Sequence, residues 1–255
     1  MKDKDVLVIK NVHKSFPSPS GGKDLKVLED ITLHVKEGEI VALLGPSGCG
    51  KSTVLNISAG FESFDQGEVE FLHEPVTVPS PERSVVFQSA VLFPWLTVRQ
   101  NIAYGLKRQK QERSRIEEDC NRCISLVGLD GFDNYYPHQL SGGMQQRVAL
   151  ARVLVLKPKM LLMDEPFAAL DYQTRISMQQ LLLSLSMKLN PSVLFVTHDV
   201  DEALILADRI YIMSKLPGRI IKEMTISIPK PRTFLTLGSP EFTKKKEQIL
   251  QLLLG

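Results

Sequence analysis

Cysteine is scarce here: Cys49, Cys120 and Cys123 are the only three in 255 residues. So sparse and odd a set excludes a disulfide framework. Cys120 and Cys123 form a C-x-x-C, but no second pair accompanies them and no histidines stand at metal-ligand spacing, so the pair reads as structural. An excess of one charge is also missing. Lys plus Arg total 31 and Asp plus Glu total 29, a net charge of +2, which argues against a dedicated nucleic-acid binder. No apolar run approaches the roughly 18–20 residues that span a bilayer. The start, Met1-Lys2-Asp3-Lys4-Asp5, lacks the apolar stretch of a signal peptide. The expectation is a soluble, cytosolic chain. What is present, 43 % apolar and 24 % charged residues, is the mix of a globular protein.

Patterning divides the chain. Val6, Val8 and Val12, then Ile31, Leu33 and Val35, alternate with polar residues as half-buried strands do, and Pro17–Gly22 between them reads as a hairpin loop. Ile40–Leu44 is an unbroken apolar run, suited to a strand covered on both faces. Lys51–Ala59 reads as helix, and Val69–Leu72 and Ser84–Phe87 as strands. From about Pro94 to Leu156 the spacing turns helical, at Val98–Leu106, Ile116–Val127 and Ser141–Leu156. Strands return at Met160–Met163, Val193–Thr197 and Arg209–Met213, separated by helical patterns at Tyr172–Leu189 and Val200–Ala207. Alternating strand and helix predicts a parallel α/β sheet. After Gly218 a short strand pair and a charged helix are expected.

Chemistry concentrates at three places. Gly45-Pro46-Ser47-Gly48-Cys49-Gly50-Lys51-Ser52-Thr53 fits G-x-x-x-x-G-K-[ST] between a strand and a helix. Glycines there let successive backbone N–H groups face an anion, and the helix start adds its positive dipole end. Lys51 is placed to reach β- and γ-phosphates, and the Ser52 hydroxyl to ligate Mg²⁺. Met160–Met163 then delivers Asp164 and Glu165 at a strand tip. Asp164 suits the metal's shell, and Glu165 suits the orientation or deprotonation of attacking water. Alone, this pair would fit a solvated acidic turn equally well; beside a phosphate loop it reads as catalytic. Third, Leu140-Ser141-Gly142-Gly143-Met144 opens a periodic helix with Ser141 as N-cap, a second end suited to anions.

At this point the chain resembles the nucleotide-binding subunits of ABC transporters. LSGGM, at Leu140–Met144, is similar to that family's signature motif. A phosphate loop, a helical insertion, the signature and LLMDEP follow in the family's order, and the resemblance runs from about Val6 to Met224. It implies a RecA-like P-loop NTPase core with an antiparallel β subdomain and a helical signature subdomain. It divides the chain into an ATP-binding domain over 1–230, helical at about 94–156, and a short extension over 231–255. It implies ATP and Mg²⁺, an adenine-stacking Phe16, a metal-contacting and partner-sensing Gln88, and a switch histidine, His198. Asp171 matches the loop that crosses to the second subunit; Ala168 stands where the family often has Ser or Gly. The implied assembly is a head-to-tail dimer, with Ser141, Gly142, Gly143 and Asp171 acting on the partner's ATP. A membrane permease and an extracytoplasmic solute-binding protein complete the implied partners, placing the chain peripherally on the cytoplasmic face of the membrane.

The segment Ala90-Val91-Leu92-Phe93-Pro94-Trp95-Leu96 is unusually apolar after a strand end and is expected to dock the permease. Gln88–Leu106, the DEPFAALD stretch with Tyr172-Gln173-Thr174-Arg175, and Pro217–Ile220 resemble importers of nitrate, sulfonates and taurine. Only 31 residues follow Met224, fewer than the regulatory β domain of sugar, polyamine and iron importers would need. Three other readings compete: an importer of thiamine-precursor pyrimidines, an ABC ATPase acting on nucleic acid or ribosomes, and a P-loop kinase or GTPase. The last would have no use for LSGGM, and the nucleic-acid reading lacks tandem cassettes or heptad arrays.

Overall fold

The computed structural model describes residues 4–18 and 22–254. Strands β1 (Asp5–Phe16) and β2 (Leu25–Lys36) pair antiparallel, with Val8 opposite His34, Ile9 opposite Leu33 and Val12 opposite Ile31. Half of the expected loop between them, residues 19–21, lies outside the described residues. Next come β3 (Ile40–Leu44), all of it buried, and α1 (Lys51–Ala59), which ends on Gly60 at φ +79°. β4 (Gln66–Phe71) returns beside β1, and β5 (Glu74–Pro75) completes an antiparallel sheet of order β2-β1-β4-β5. β4 stops at Phe71 because Leu72 and His73 take the left-handed turn that feeds β5, with φ 54° and 69°.

β6 (Arg83–Val86) starts one residue before the apolar pattern suggests and enters a second sheet. Three helices follow: α2 (Val98–Arg108), α3 (Arg113–Leu126) and α4 (Gly142–Leu154). The chain then runs β7 (Met160–Asp164), α5 (Tyr172–Leu189), β8 (Ser192–Thr197), α6 (Val200–Leu206) and β9 (Arg209–Met213). The expected strand pair after Gly218 is a single strand, β10 (Ile220–Thr225), which uses β9 as its antiparallel partner. The ladder ends at Thr225, which pairs with Arg209, the first residue of β9. Helix α7 (Pro240–Leu254) closes the described chain.

The second sheet has order β10-β9-β3-β8-β7-β6 and is parallel except for β10. Its two faces are both covered. Ile40, Ala42 and Leu44 pack with α4, α5 and α6, whereas Val41 and Leu43 face α1 and the antiparallel sheet. A third cluster, inside the helical region, takes in Cys120 and Cys123. Burial pushes the Cys123 thiol up to about 11. The C-terminal residues join the main core: Phe242 and Ile249 of α7 are buried in it, and the Arg232 guanidinium donates to carbonyls of Leu204, Ala207, Ile226 and Ile228. Among the described residues no helix is long and apolar enough to cross a membrane.

Strand register places the chemistry. Leu44, the last residue of β3, pairs with Thr197, the last of β8. Val196 in turn pairs with Asp164, the last residue of β7. Gly45, His198 and Glu165 are therefore the next residues out of three adjacent parallel strands. That is the carboxyl edge at which open α/β sheets bind ligands.

Candidate active site

The phosphate loop is shaped by residues that only glycine tolerates well. Gly48 and Gly50 have φ of +76° and +101°, and a Cβ on Gly50 would lie 2.6 Å from Leu28 of β2. Gly50 is also the N-cap of α1 and supplies no side-chain cap, so the first helical N–H groups keep their capacity for an anion. Gly218 closes the other side of the loop: a Cβ there would lie 2.3 Å from the Cys49 carbonyl. That contact joins β2, the loop and the turn before β10, since Gly218 also exchanges backbone hydrogen bonds with Val27 and Glu29. Pattern reasoning assigned Gly218 no such role, because its contact spans the chain. Cys49 is buried under this wall and its thiol is raised by burial.

Lys51 lies inside the loop. Its Nζ donates to the carbonyls of Gly45 at 2.9 Å and Pro46 at 3.0 Å, and stands 4.0 Å from Glu165 Oε1. Ser52 Oγ donates to Asp164 Oδ1 at 2.9 Å. Burial pushes the Asp164 carboxyl above its ordinary value, and the Ser52 hydrogen bond opposes that rise. A hydroxyl and a half-buried carboxylate converging from two elements form a hard-oxygen pair, the donor chemistry Mg²⁺ takes. Thr53 follows on the same helix, half-buried.

Glu165 stands just beyond β7 with φ 41°, a conformation that costs a non-glycine residue about 1–2 kcal/mol. Backbone bonds hold it there: its N–H donates to the Val196 carbonyl at 3.0 Å, and its carbonyl accepts from Ala168 at 3.1 Å. The turn aims the carboxylate across the strand ends, where Oε2 meets His198 Nδ1 at 3.1 Å. Behind His198, the Thr197 hydroxyl donates to Glu202 at 2.8 Å, and Asp199 caps α6 through the N–H groups of Asp201 and Glu202. Glu202 is buried and its carboxyl is pushed up to about 7 by desolvation.

The other expected residues lie at varied distances from this centre. Phe16 is half-buried opposite Leu25, near the Val27 and Leu28 that cover Gly50, and Lys14 Nζ stands 4.8 Å over its ring. Gln88 is exposed just after β6. Asp171 is exposed and caps α5 by accepting from Thr174 N at 3.1 Å; the Thr174 hydrogen bonds lower its pKa. Ser141 caps α4 through Met144 N at 3.3 Å. Among the described residues no hydrogen bond joins Ser141–Gly143 to Gly45–Thr53. Gly142 is exposed with open space around it, whereas Gly143 is buried and a Cβ there would come 2.3 Å from Thr174 Cγ2. Gly143 therefore serves packing between α4 and α5 in its own chain.

A nucleotide-suited loop, a hydroxyl–carboxylate pair and a carboxylate–histidine pair at one sheet edge define a P-loop NTPase. The particular family follows from comparison with known proteins. Residues 28–168 match the ABC transporter family, to which the chain belongs. It is 42 % identical over 255 residues to the nitrate import ATP-binding protein NrtD of Synechocystis sp., covering 98 % of this chain and 95 % of that one. It is 39 % identical over 257 residues to the taurine import ATP-binding protein TauB of Pelagibacter ubique, covering 97 % and 94 %. Among solved structures it matches the dimeric ATP-binding cassette MJ0796 in a post-hydrolysis state with ADP and phosphate. That match has TM-score 0.74 and 32 % identity over 86 % of this chain and 98 % of the other. The protein is an ABC-type ATPase with the RecA-like core of that class, and ATP is its nucleotide.

Proposed function

We propose that this chain is the ATP-hydrolysing subunit of an importer for a small oxyanion or sulfonate, working as a head-to-tail dimer on the cytoplasmic face of a membrane permease. One observation carries the reading: Lys51, Ser52, Asp164, Glu165 and His198 meet at one sheet edge, while Ser141 and Gly142 at the start of α4 are exposed and make no hydrogen bond to them. A second copy brings such a helix start to that edge. ATP then lies between Gly45–Thr53 of one protomer and Ser141–Gly143 with Asp171 of its partner, and Phe16 stacks on the adenine.

Lys51 binds the β- and γ-phosphates in place of the loop carbonyls. Ser52, Asp164 and Gln88 would hold Mg²⁺, which when bound neutralises charge on those phosphates. Glu165 takes a proton from the attacking water as its oxygen bonds to the γ-phosphorus and the bond to the β–γ bridging oxygen breaks. His198, held by Glu165, faces the γ-phosphate. Binding closes the dimer and hydrolysis opens it.

The permease docks at residues 88–97. Trp95 is 70 % exposed and Val91 58 %, while Phe93 is half-buried, 4.6 Å from Tyr104 and 5.5 Å under the Arg152 guanidinium. Asn101, fully buried, fixes this loop through four hydrogen bonds to Phe93, Leu96 and Thr97. A rigid, aromatic, outward-facing loop is the kind of surface that anchors interfaces. The solute class follows from the kinship with nitrate and taurine import subunits, since no residue of this chain would touch the solute. An extracytoplasmic binding protein would deliver it.

The test is reconstitution with permease and binding protein in vesicles. Phosphate release requiring Mg²⁺, lost in Lys51→Ala, and calorimetric binding of nitrate, taurine or alkanesulfonates by the binding protein are expected. No heat with these anions but tight binding of a pyrimidine would overturn the solute class alone.

A further inference from the structure

We infer that Gln146 is a positioning residue that ties Gln88 and Glu165 to the signature helix. Gln146 lies on α4, one turn beyond Gly142 and Gly143, and is 4 % exposed. Its side-chain Nε2 donates to the Phe87 carbonyl at 3.3 Å and to the Pro166 carbonyl at 3.1 Å. Phe87 immediately precedes Gln88, and Pro166 immediately follows Glu165. One amide, with its two N–H groups, thus holds the neighbours of two active-site residues that reach the site from different strands.

The surroundings leave little slack. The Phe87 ring stacks on Phe61, with centroids 6.3 Å apart and planes 14° from parallel. The Glu165 backbone is fixed by its bonds to Val196 and Ala168. Tilting α4 therefore acts on both peptide segments through a single side chain. The same helix begins with Ser141 and Gly142, proposed above to meet the partner's ATP. Arrival of the partner at the start of α4 is felt one turn later at Gln88 and Glu165. An aliphatic side chain of similar length would fill this space as well, so what the amide adds is the pair of hydrogen bonds. The roles given to Gln88 and Glu165 are those of the proposed mechanism, and the inference rests on them.

Two variants test it. Gln146→Met keeps the length and loses both donors. It is expected to keep KM for ATP within about twofold and the melting temperature close to the parent's, while kcat falls about tenfold, equivalent to about 1.4 kcal/mol of barrier. Gln146→Glu keeps the shape and can donate one hydrogen bond only when protonated; ionised, it repels both carbonyls. Its kcat relative to the parent's is expected to recover at least threefold between pH 8.5 and pH 6.5. A parent-like kcat in Gln146→Met overturns the inference. So does a joint fall of kcat, ATP affinity and melting temperature with no pH-dependent recovery in Gln146→Glu, which is the signature of packing alone. Gln88→Ala, assayed beside them, separates the levels: an unchanged Mg²⁺ requirement there removes the metal contact of Gln88 and leaves the Gln146 outcomes readable through Glu165.

Discussion

His198 Nδ1 lies 3.1 Å from Glu165 Oε2, although 33 residues separate them in sequence. The contact spans the ends of two adjacent strands and joins the residue proposed as proton acceptor to the one proposed to face the γ-phosphate. Glu165→Gln retains a hydrogen-bonding side chain at this spot but not the base. General-base loss costs about 10²- to 10⁴-fold in turnover. The expected variant binds ATP with parent affinity, hydrolyses it at least a hundredfold more slowly, and accumulates as an ATP-bound dimer in sedimentation velocity. Hydrolysis at the parent rate would remove Glu165 from its role.

Dimer closure is tested best at Gly142. A carboxylate at Gly143 would first collide with Thr174 of its own chain, so that variant confounds packing with association. Gly142 has open space around it. Gly142→Asp should fold normally and bind ATP as a monomer, yet fail to dimerise, because a carboxylate facing the partner's γ-phosphate is a like-charge contact. Light scattering in ATP with Glu165→Gln as background gives the readout. Dimers of the double variant would refute the sandwich.

Trp95 and Phe93 should separate docking from stability. Trp95 is largely exposed, so Trp95→Ser should leave the melting temperature unchanged and abolish capture of the permease. Phe93 packs on Tyr104 and Arg152, so Phe93→Ser should lower both. Permease capture that survives Trp95→Ser would exclude this loop as the docking surface.

Glu202 predicts a pH dependence of stability. Burial raises its carboxyl to about 7 in the fold, against a reference of 4.5. The native state therefore holds a proton that the unfolded chain releases, and stability from this group falls as pH rises from about 4.5 to 7. The full difference is on the order of 3 kcal/mol. Glu202→Gln removes the ionisation and can keep a bond to Thr197. Its melting temperature should gain on the parent's progressively between pH 5 and pH 7.5, measured by calorimetry; a gap independent of pH would show that Glu202 stays ionised.

Much of this was legible in the residues themselves. Gly45–Thr53 works through backbone shape and a helix start, so it is written contiguously. Ile40–Leu44 announced a doubly covered strand, and its alternate residues do face two different cores. The strand near Leu72 ends a residue early because left-handed turn geometry, not hydrophobicity, ends it.

Other relationships depended on which strands became neighbours. The strand order β3-β8-β7 brings Lys51, His198 and Glu165 to one edge, and nothing local to any of the three specifies that order. Gly218 against Cys49, Gly143 under Thr174, and Gln146 between Phe87 and Pro166 are of the same kind. Hydrogen bonds and steric contacts act over only a few ångströms. The sequence alone therefore determined the chemistry each segment carries, through composition, period and local backbone freedom. Which segments touch was decided only when burial of both faces of the central sheet set the packing.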